Sequence, residues 1–179
     1  IYHMQIKAIL EAAAECQRMG IDVRPEIMVP QVCKAEELVE VKKSVDQIQG
    51  EIESEGKIKL NFKYGTMIEV VRACLEASEL AKVGQFFSFG TNDLTQATFS
   101  FSREDAENKF LPYYISHNIL KDNPFEVLDV NGVGKLMKMA VEGGRLTNPD
   151  FKIGICGEHG GHPESIMFCH KIGLNYVSC

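Results

Sequence analysis

Four side chains with chemical potential stand where apolar runs break off, and a fifth follows a polar loop. Glu69 ends NFKYGTMIE, Asn92 and Asp93 follow Gly90 in QFFSFGTND, Arg103 lies ten residues past Asp93, and Cys156 closes FKIGIC. Glu69 and Asp93 are 24 positions apart, the length of one strand–helix–strand step, which would bring both carboxylates to one rim. Two hard oxygen ligands, with coordination sites left for water or phosphate, suit Mg2+. A carboxylate at a strand end also serves as a helix cap, and Asp93 is placed for that. Asn92 offers a hydrogen bond to a carboxylate or enolate oxygen, although GTND equally suits a plain turn. The planar fork of Arg103 matches a phosphoryl group, while a lone arginine is more often simply solvated. A thiol is mostly protonated at neutral pH, with an ordinary pKa of about 8.5, so Cys156 has the chemistry of a proton donor. A buried structural cysteine is the competing reading.

Cys156, His159 and His162 share one loop, with Cys169 and His170 beyond, which resembles a list of zinc ligands. The spacing matches no common zinc module. Gly160 and Gly161 suggest a loop shaped for turning or for close approach. The six cysteines form no C-x-x-C pair, and Cys16 and Cys74 fall in helical patterns as small apolar residues. A reducing, cytoplasmic compartment is expected. The net charge of −6 has no basic block, which speaks against nucleic-acid binding through phosphates. No apolar run reaches the ~18 residues of a membrane span.

These residues need elements to position them. Ile6, Ile9, Leu10, Ala13 and Cys16 follow helical spacing up to Gly20. EIMVP (Glu26 to Pro30) is a short apolar strand closed by proline. A second amphipathic helix runs from Ala35 to Glu55 through Leu38, Val41, Val45 and Ile48. NFKYGTMIE is a strand, VVRACLEASELAK a helix, and QFFSFG a strand. A short helical turn, a long polar segment and a helix near Val133 to Gly143 follow. FKIGICG is a fourth strand, Pro163 to Lys171 a helix with proline in its first turn, and NYVSC a fifth strand.

Alternating strands and helices predict an α/β fold with a parallel sheet. No Gly-rich nucleotide fingerprint follows any strand, whereas polar residues close strand after strand. That pattern predicts a (β/α)8 TIM barrel, whose sites gather at the C-terminal strand ends. Such barrels need eight strands and about 200 residues or more. The expectation is therefore a partial barrel, residues 1–179 supplying about its last five strands, with an open five-stranded α/β domain as the alternative.

Taken together, GTMIEVVRA, FFSFGTNDLTQATFSFSREDAENKFL and GICGEHGGHPESIMFCHKIGLNYVSC resemble the C-terminal phosphoenolpyruvate/pyruvate-binding barrel of the pyruvate phosphate dikinase family. The resemblance runs from about Glu26 to Cys179. GTM-E, GTNDL-Q and CGE are shared with phosphoenolpyruvate synthase and with enzyme I of the sugar phosphotransferase system, whereas FSREDA, CGEHGG and FCHKIGLNYVSC lean to the dikinase. The resemblance implies that Glu69 and Asp93 hold Mg2+ and that Asn92 binds substrate near its carboxylate. Gly90 and Thr91 would line the pocket through their backbone, and Met67 would wall the methyl or methylene carbon. Arg103 would bind the phosphoryl group, and Cys156 would move a proton at the third carbon. Two departures are visible: His162 stands where the family has Asp, and EVVRA where EIPRA is common.

The implied reaction interconverts ATP, phosphate and pyruvate with AMP, pyrophosphate and phosphoenolpyruvate through a phosphohistidine. The ATP-grasp domain, the swivelling phosphohistidine domain and the earlier barrel strands are not in this sequence. The expectation is that this polypeptide alone does not complete the reaction. A homodimer and a cytoplasmic location are also implied, with plastid or microbody as alternatives. The remaining alternatives are a synthase or enzyme I barrel, or a zinc-binding structural domain.

Overall fold

A computed structural model describes residues 1–179. Five strands form one sheet: β1 (Glu26–Val29), β2 (Lys63–Ile68), β3 (Phe86–Phe89), β4 (Lys152–Ile155) and β5 (Tyr176–Val177). Every neighbouring pair is parallel and the spatial order is the chain order. Parallel crossovers are right-handed, so strands added always on the same side keep their connecting helices on one face. This is how consecutive barrel strands are arranged, in contrast to a doubly wound sheet, whose order reverses at a switch point.

The helices are α1 (Tyr2–Arg18), α2 (Ala35–Gly56), α3 (Val71–Leu75), α4 (Ala77–Leu80), α5 (Thr91–Phe99), α6 (Arg103–Lys109), α7 (Leu111–Ser116), α8 (Val133–Thr147) and α9 (Pro163–Lys171). Side chains alternate across each strand. Tyr64, Ile68, Phe87, Phe89, Ile153 and Ile155 share the helix-covered face and are buried. Tyr64 donates its hydroxyl hydrogen to the Leu38 carbonyl of α2 at 2.7 Å, while Phe87 and Ile153 pack against Gly144 of α8. Burying these large side chains contributes about 1.5–3 kcal/mol each, the main force holding sheet and helices together.

The opposite face carries Glu26, Met28, Met67, Ser88, Lys152, Gly154 and Tyr176. Lys152 on β4 meets Glu26 on β1 at 2.7 Å, and its Nζ lies 4.8 Å over the Tyr176 ring. Side chains standing perpendicular to a flat sheet would not close three strand spacings, so the sheet curls toward this face.

All five expected strands are present, shortened by one to three residues at their ends. The helix expected over Val70 to Lys82 is broken at Glu76, where φ −103° and ψ 17° leave helical geometry. The break lets Ala77 and Ser78 lie against α8 at Gly143. The turn after Gly90 is a nine-residue helix, and the segment read as long and polar contains α6 and α7. Those two short helices close over a small separate core of Ala106, Leu111 and Phe125. Cys74 is buried as expected, with its thiol pushed up to about 12 by burial, whereas Cys16 is only half-buried. No helix is long and apolar enough to cross a membrane.

Candidate active site

Strand register puts the predicted residues in a row. Ile68 pairs with Phe89 and Phe89 with Ile155, so Glu69, Gly90 and Cys156 each lie one step past the same row. They continue the alternation of Met67, Ser88 and Gly154 and therefore extend the concave face at its C-terminal edge. Gly90 is required there by crowding. A Cβ on it would lie 2.6 Å from both Glu69 Oε2 and Met67 Sδ.

Glu69 and Asp93 come together through Gln31, at the end of β1. Gln31 donates its main-chain N–H to Glu69 Oε1 at 2.7 Å and its amide Nε2–H to Asp93 Oδ2 at 2.9 Å. Its φ of +56° is the left-handed region, which costs a non-glycine residue about 1–2 kcal/mol. In that conformation its two donors meet both carboxylates. Burial, opposed by the Gln31 N–H and reinforced by the Asp93 charge, pushes the Glu69 carboxyl above its usual range. Gln31, Glu69, Val70, Asp93, Gln96 and Ala97 line one open polar hollow.

The hydrogen bonds continue along the rim. Gln96 donates to Asp93 Oδ1 at 3.2 Å and accepts the Arg103 main-chain N–H at 2.9 Å. The Arg103 guanidinium meets Glu158 Oε2 at 2.9 Å and lies 5.7 Å over the Phe125 ring. Asn92 donates to Glu158 Oε1 at 3.3 Å and accepts the Glu158 main-chain N–H at 3.0 Å. The bond to Arg103 holds the Glu158 carboxyl below its usual range. Cys156 sends both its main-chain N–H, at 3.1 Å, and its thiol, at 3.6 Å, toward the Phe89 carbonyl. Its side chain is half-buried at the junction of β3 and β4.

His159 is fully buried and braces this loop. The Pro124 carbonyl, 2.8 Å from Nε2, only accepts, so Nε2 carries the hydrogen and Nδ1 accepts the Thr91 hydroxyl hydrogen at 2.7 Å. Burial lowers the His159 pKa, in keeping with a neutral ring. The Thr91 side chain thus points into the protein, toward His159. Both nitrogens of His159 are engaged, and Cys156, His159 and His162 form no cluster able to hold a metal ion. The zinc alternative therefore loses its ligands. Glu69 and Asp93 fit a cation differently. They are two hard carboxylates lining one open hollow, with the remaining coordination free for water or ligand oxygens.

Gln31 and Gln96 were not foreseen as parts of the site, Glu158 counted only among the polar strand ends, and His159 stood only as a possible zinc ligand. Gln96 sits in the motif stretch GTNDLTQ, which could have flagged it. Gln31 had only its position after Pro30.

The family model for PEP-utilising enzyme, PEP-binding domain, matches residues 1–179. Along its whole length the chain is 56% identical to pyruvate, phosphate dikinase of Entamoeba histolytica and 52% identical to that of Clostridium symbiosum, covering 20% of each. It is 52% identical over 98% of its length to pyruvate, phosphate dikinase 1, chloroplastic, of Arabidopsis thaliana, covering 18% of that protein. The chain spans about a fifth of the length of these relatives. With its parallel sheet and its row of polar strand ends, the chain belongs to the PEP-utilising enzyme family, as a PEP-binding domain.

Proposed function

We propose that this chain is the phosphoenolpyruvate/pyruvate half-site of a longer phosphotransferase of the pyruvate, phosphate dikinase kind. The observation that supports it best is the continuous hydrogen-bonded rim. It runs from Glu69 through Gln31, Asp93, Gln96 and Arg103 to Glu158, which also holds Asn92 and lies two residues past Cys156. The whole reaction would interconvert ATP, phosphate and pyruvate with AMP, pyrophosphate and phosphoenolpyruvate. It would proceed with a swivelling phosphohistidine domain of the full-length protein, within a homodimer. A location in cytoplasm or plastid fits the free thiols and the chloroplastic relative.

In this reading Glu69 and Asp93 hold Mg2+. When bound, the ion would supply positive charge to enolate and phosphoryl oxygens. Asn92 donates a hydrogen bond to a substrate oxygen, and Arg103 takes the phosphoryl group. Met67, on the same face as Glu69, walls the reacting carbon. In the direction of pyruvate, loss of the phosphoryl group to the histidine leaves an enolate, and the Cys156 thiol gives its proton to the third carbon. In reverse the thiolate removes a methyl proton as the phosphoryl group arrives on oxygen. The contact of the Cys156 thiol with the Phe89 carbonyl, at 3.6 Å, supports a restricted position for that thiol.

Calorimetric titration of the full-length protein with phosphoenolpyruvate and Mg2+ tests the reading. Glu69→Gln and Asp93→Asn should each weaken Mg2+-dependent binding by more than about tenfold. Undiminished binding by both variants would remove the proposed roles of the two carboxylates.

A further inference from the structure

We infer that Glu158 is a built-in occupant of the anion clamp formed by Asn92 and Arg103, which an incoming anionic ligand must displace. The inference rests on the half-site proposed above and adds a regulatory contact to it.

Each oxygen of the Glu158 carboxylate is held by a different donor. Oε2 lies 2.9 Å from Arg103 Nη1, and Oε1 accepts from Asn92 Nδ2 at 3.3 Å. A carboxylate of this chain thus fills the place that two groups proposed to bind substrate would offer to a substrate carboxylate or phosphoryl group. The side chain of Glu158 is 57% exposed, so no packing fixes it beyond the clamp. Exposed ion pairs are weak enough to exchange. The main chain of Glu158 is fastened separately, through its N–H to Asn92 Oδ1 at 3.0 Å. Release of the carboxylate is therefore a side-chain rotation that leaves the Cys156 loop where it is.

Tethering matters to selectivity. An intramolecular carboxylate competes at an effective concentration in the millimolar range. A singly charged ligand at low concentration does not outcompete it easily. A phosphorylated carboxylate brings more charge and more acceptor oxygens to the same fork. Arg103 keeps a second partner throughout, Glu107, whose Oε2 lies 3.5 Å from Nε, a different nitrogen from the one that meets Glu158.

The test is calorimetric titration of the full-length protein with phosphoenolpyruvate and Mg2+, comparing wild type, Glu158→Gln, Glu158→Asp and Glu107→Gln. Glu158→Gln removes the competing charge. Glu158→Asp keeps the charge but withdraws it by one methylene, too short to span both donors. Both should tighten phosphoenolpyruvate binding, by about three- to fivefold. Glu107→Gln removes an equal charge from Arg103 without emptying the clamp and should change Kd by less than about twofold. Unchanged or weaker binding by the two Glu158 variants, or equal tightening by Glu107→Gln, would overturn the inference. Failure of the wild type to bind phosphoenolpyruvate would instead overturn the functional reading beneath it. Circular dichroism of each variant separates these outcomes from misfolding.

Discussion

The main-chain N–H of Glu158 donates to Asn92 Oδ1 at 3.0 Å, so the end of β4 is fastened to the first turn of α5. Asn92 cannot move without moving the Cys156 loop. The group that would orient the substrate and the group that would move its proton therefore share one frame.

That frame tolerates no side chain at Gly157. A Cβ there would collide with the Thr91 hydroxyl oxygen and come within 2.8 Å of the Thr91 main-chain nitrogen. Gly157→Ala should displace the Cys156 loop and lower turnover by about 100-fold, the cost of a misplacement near 1 Å. Steady-state kinetics of the full-length protein, with an unchanged circular dichroism spectrum, checks this.

Thr91→Val keeps the shape of the side chain and removes the hydrogen bond to His159 Nδ1. A buried acceptor then has no partner, at a cost of about 1–3 kcal/mol. Denaturant unfolding followed on this domain should show the loss.

The pH dependence of stability has a defined sign at His159. Burial depresses its pKa in the folded state, so the unfolded chain takes up the proton first. The stabilisation is present above the ordinary histidine pKa of about 6.5 and is lost as pH falls through the folded value. Melting temperature should drop as pH is lowered below 6.5, and His159→Gln should show a flatter profile from a lower starting point.

Glu69 has the opposite sign. Its folded pKa is raised, chiefly by burial, so its contribution is favourable below the ordinary carboxylate pKa and is lost as pH rises through the folded value. Glu69→Gln should raise the melting temperature at neutral pH, and the gain should vanish in acid. The same variant should lose the cation, a stability gain bought with function. A variant less stable than wild type at pH 7 would contradict this.

Gln31 supplies hydrogen-bond donors to both carboxylates. Gln31→Leu should weaken Mn2+ binding, read by electron paramagnetic resonance, by about tenfold.

Much of this was legible in the chain. The strands showed as short apolar runs cut by Pro30, Gly90 or Gly157, and the candidate residues lay at their ends. Helices α6 and α7 did not show, because at seven and six residues they carry too few turns for an apolar stripe. The clamp and the brace were hidden for a different reason. Glu158 lies 66 positions from Asn92 and His159 lies 68 from Thr91, distances that only the register of β3 against β4 closes. In the loop, His159 looked like a metal ligand and proves to be a strut. His162 has a buried Nδ1 with no partner, and nothing in the structure explains it.

The role of Cys156 is tested most directly by exchange of the pyruvate methyl protons with deuterated water under turnover, followed by NMR in the full-length protein. Cys156→Ala should lower exchange by at least about 100-fold, with Mg2+-dependent phosphoenolpyruvate binding kept. Exchange at the wild-type rate in Cys156→Ala would contradict it.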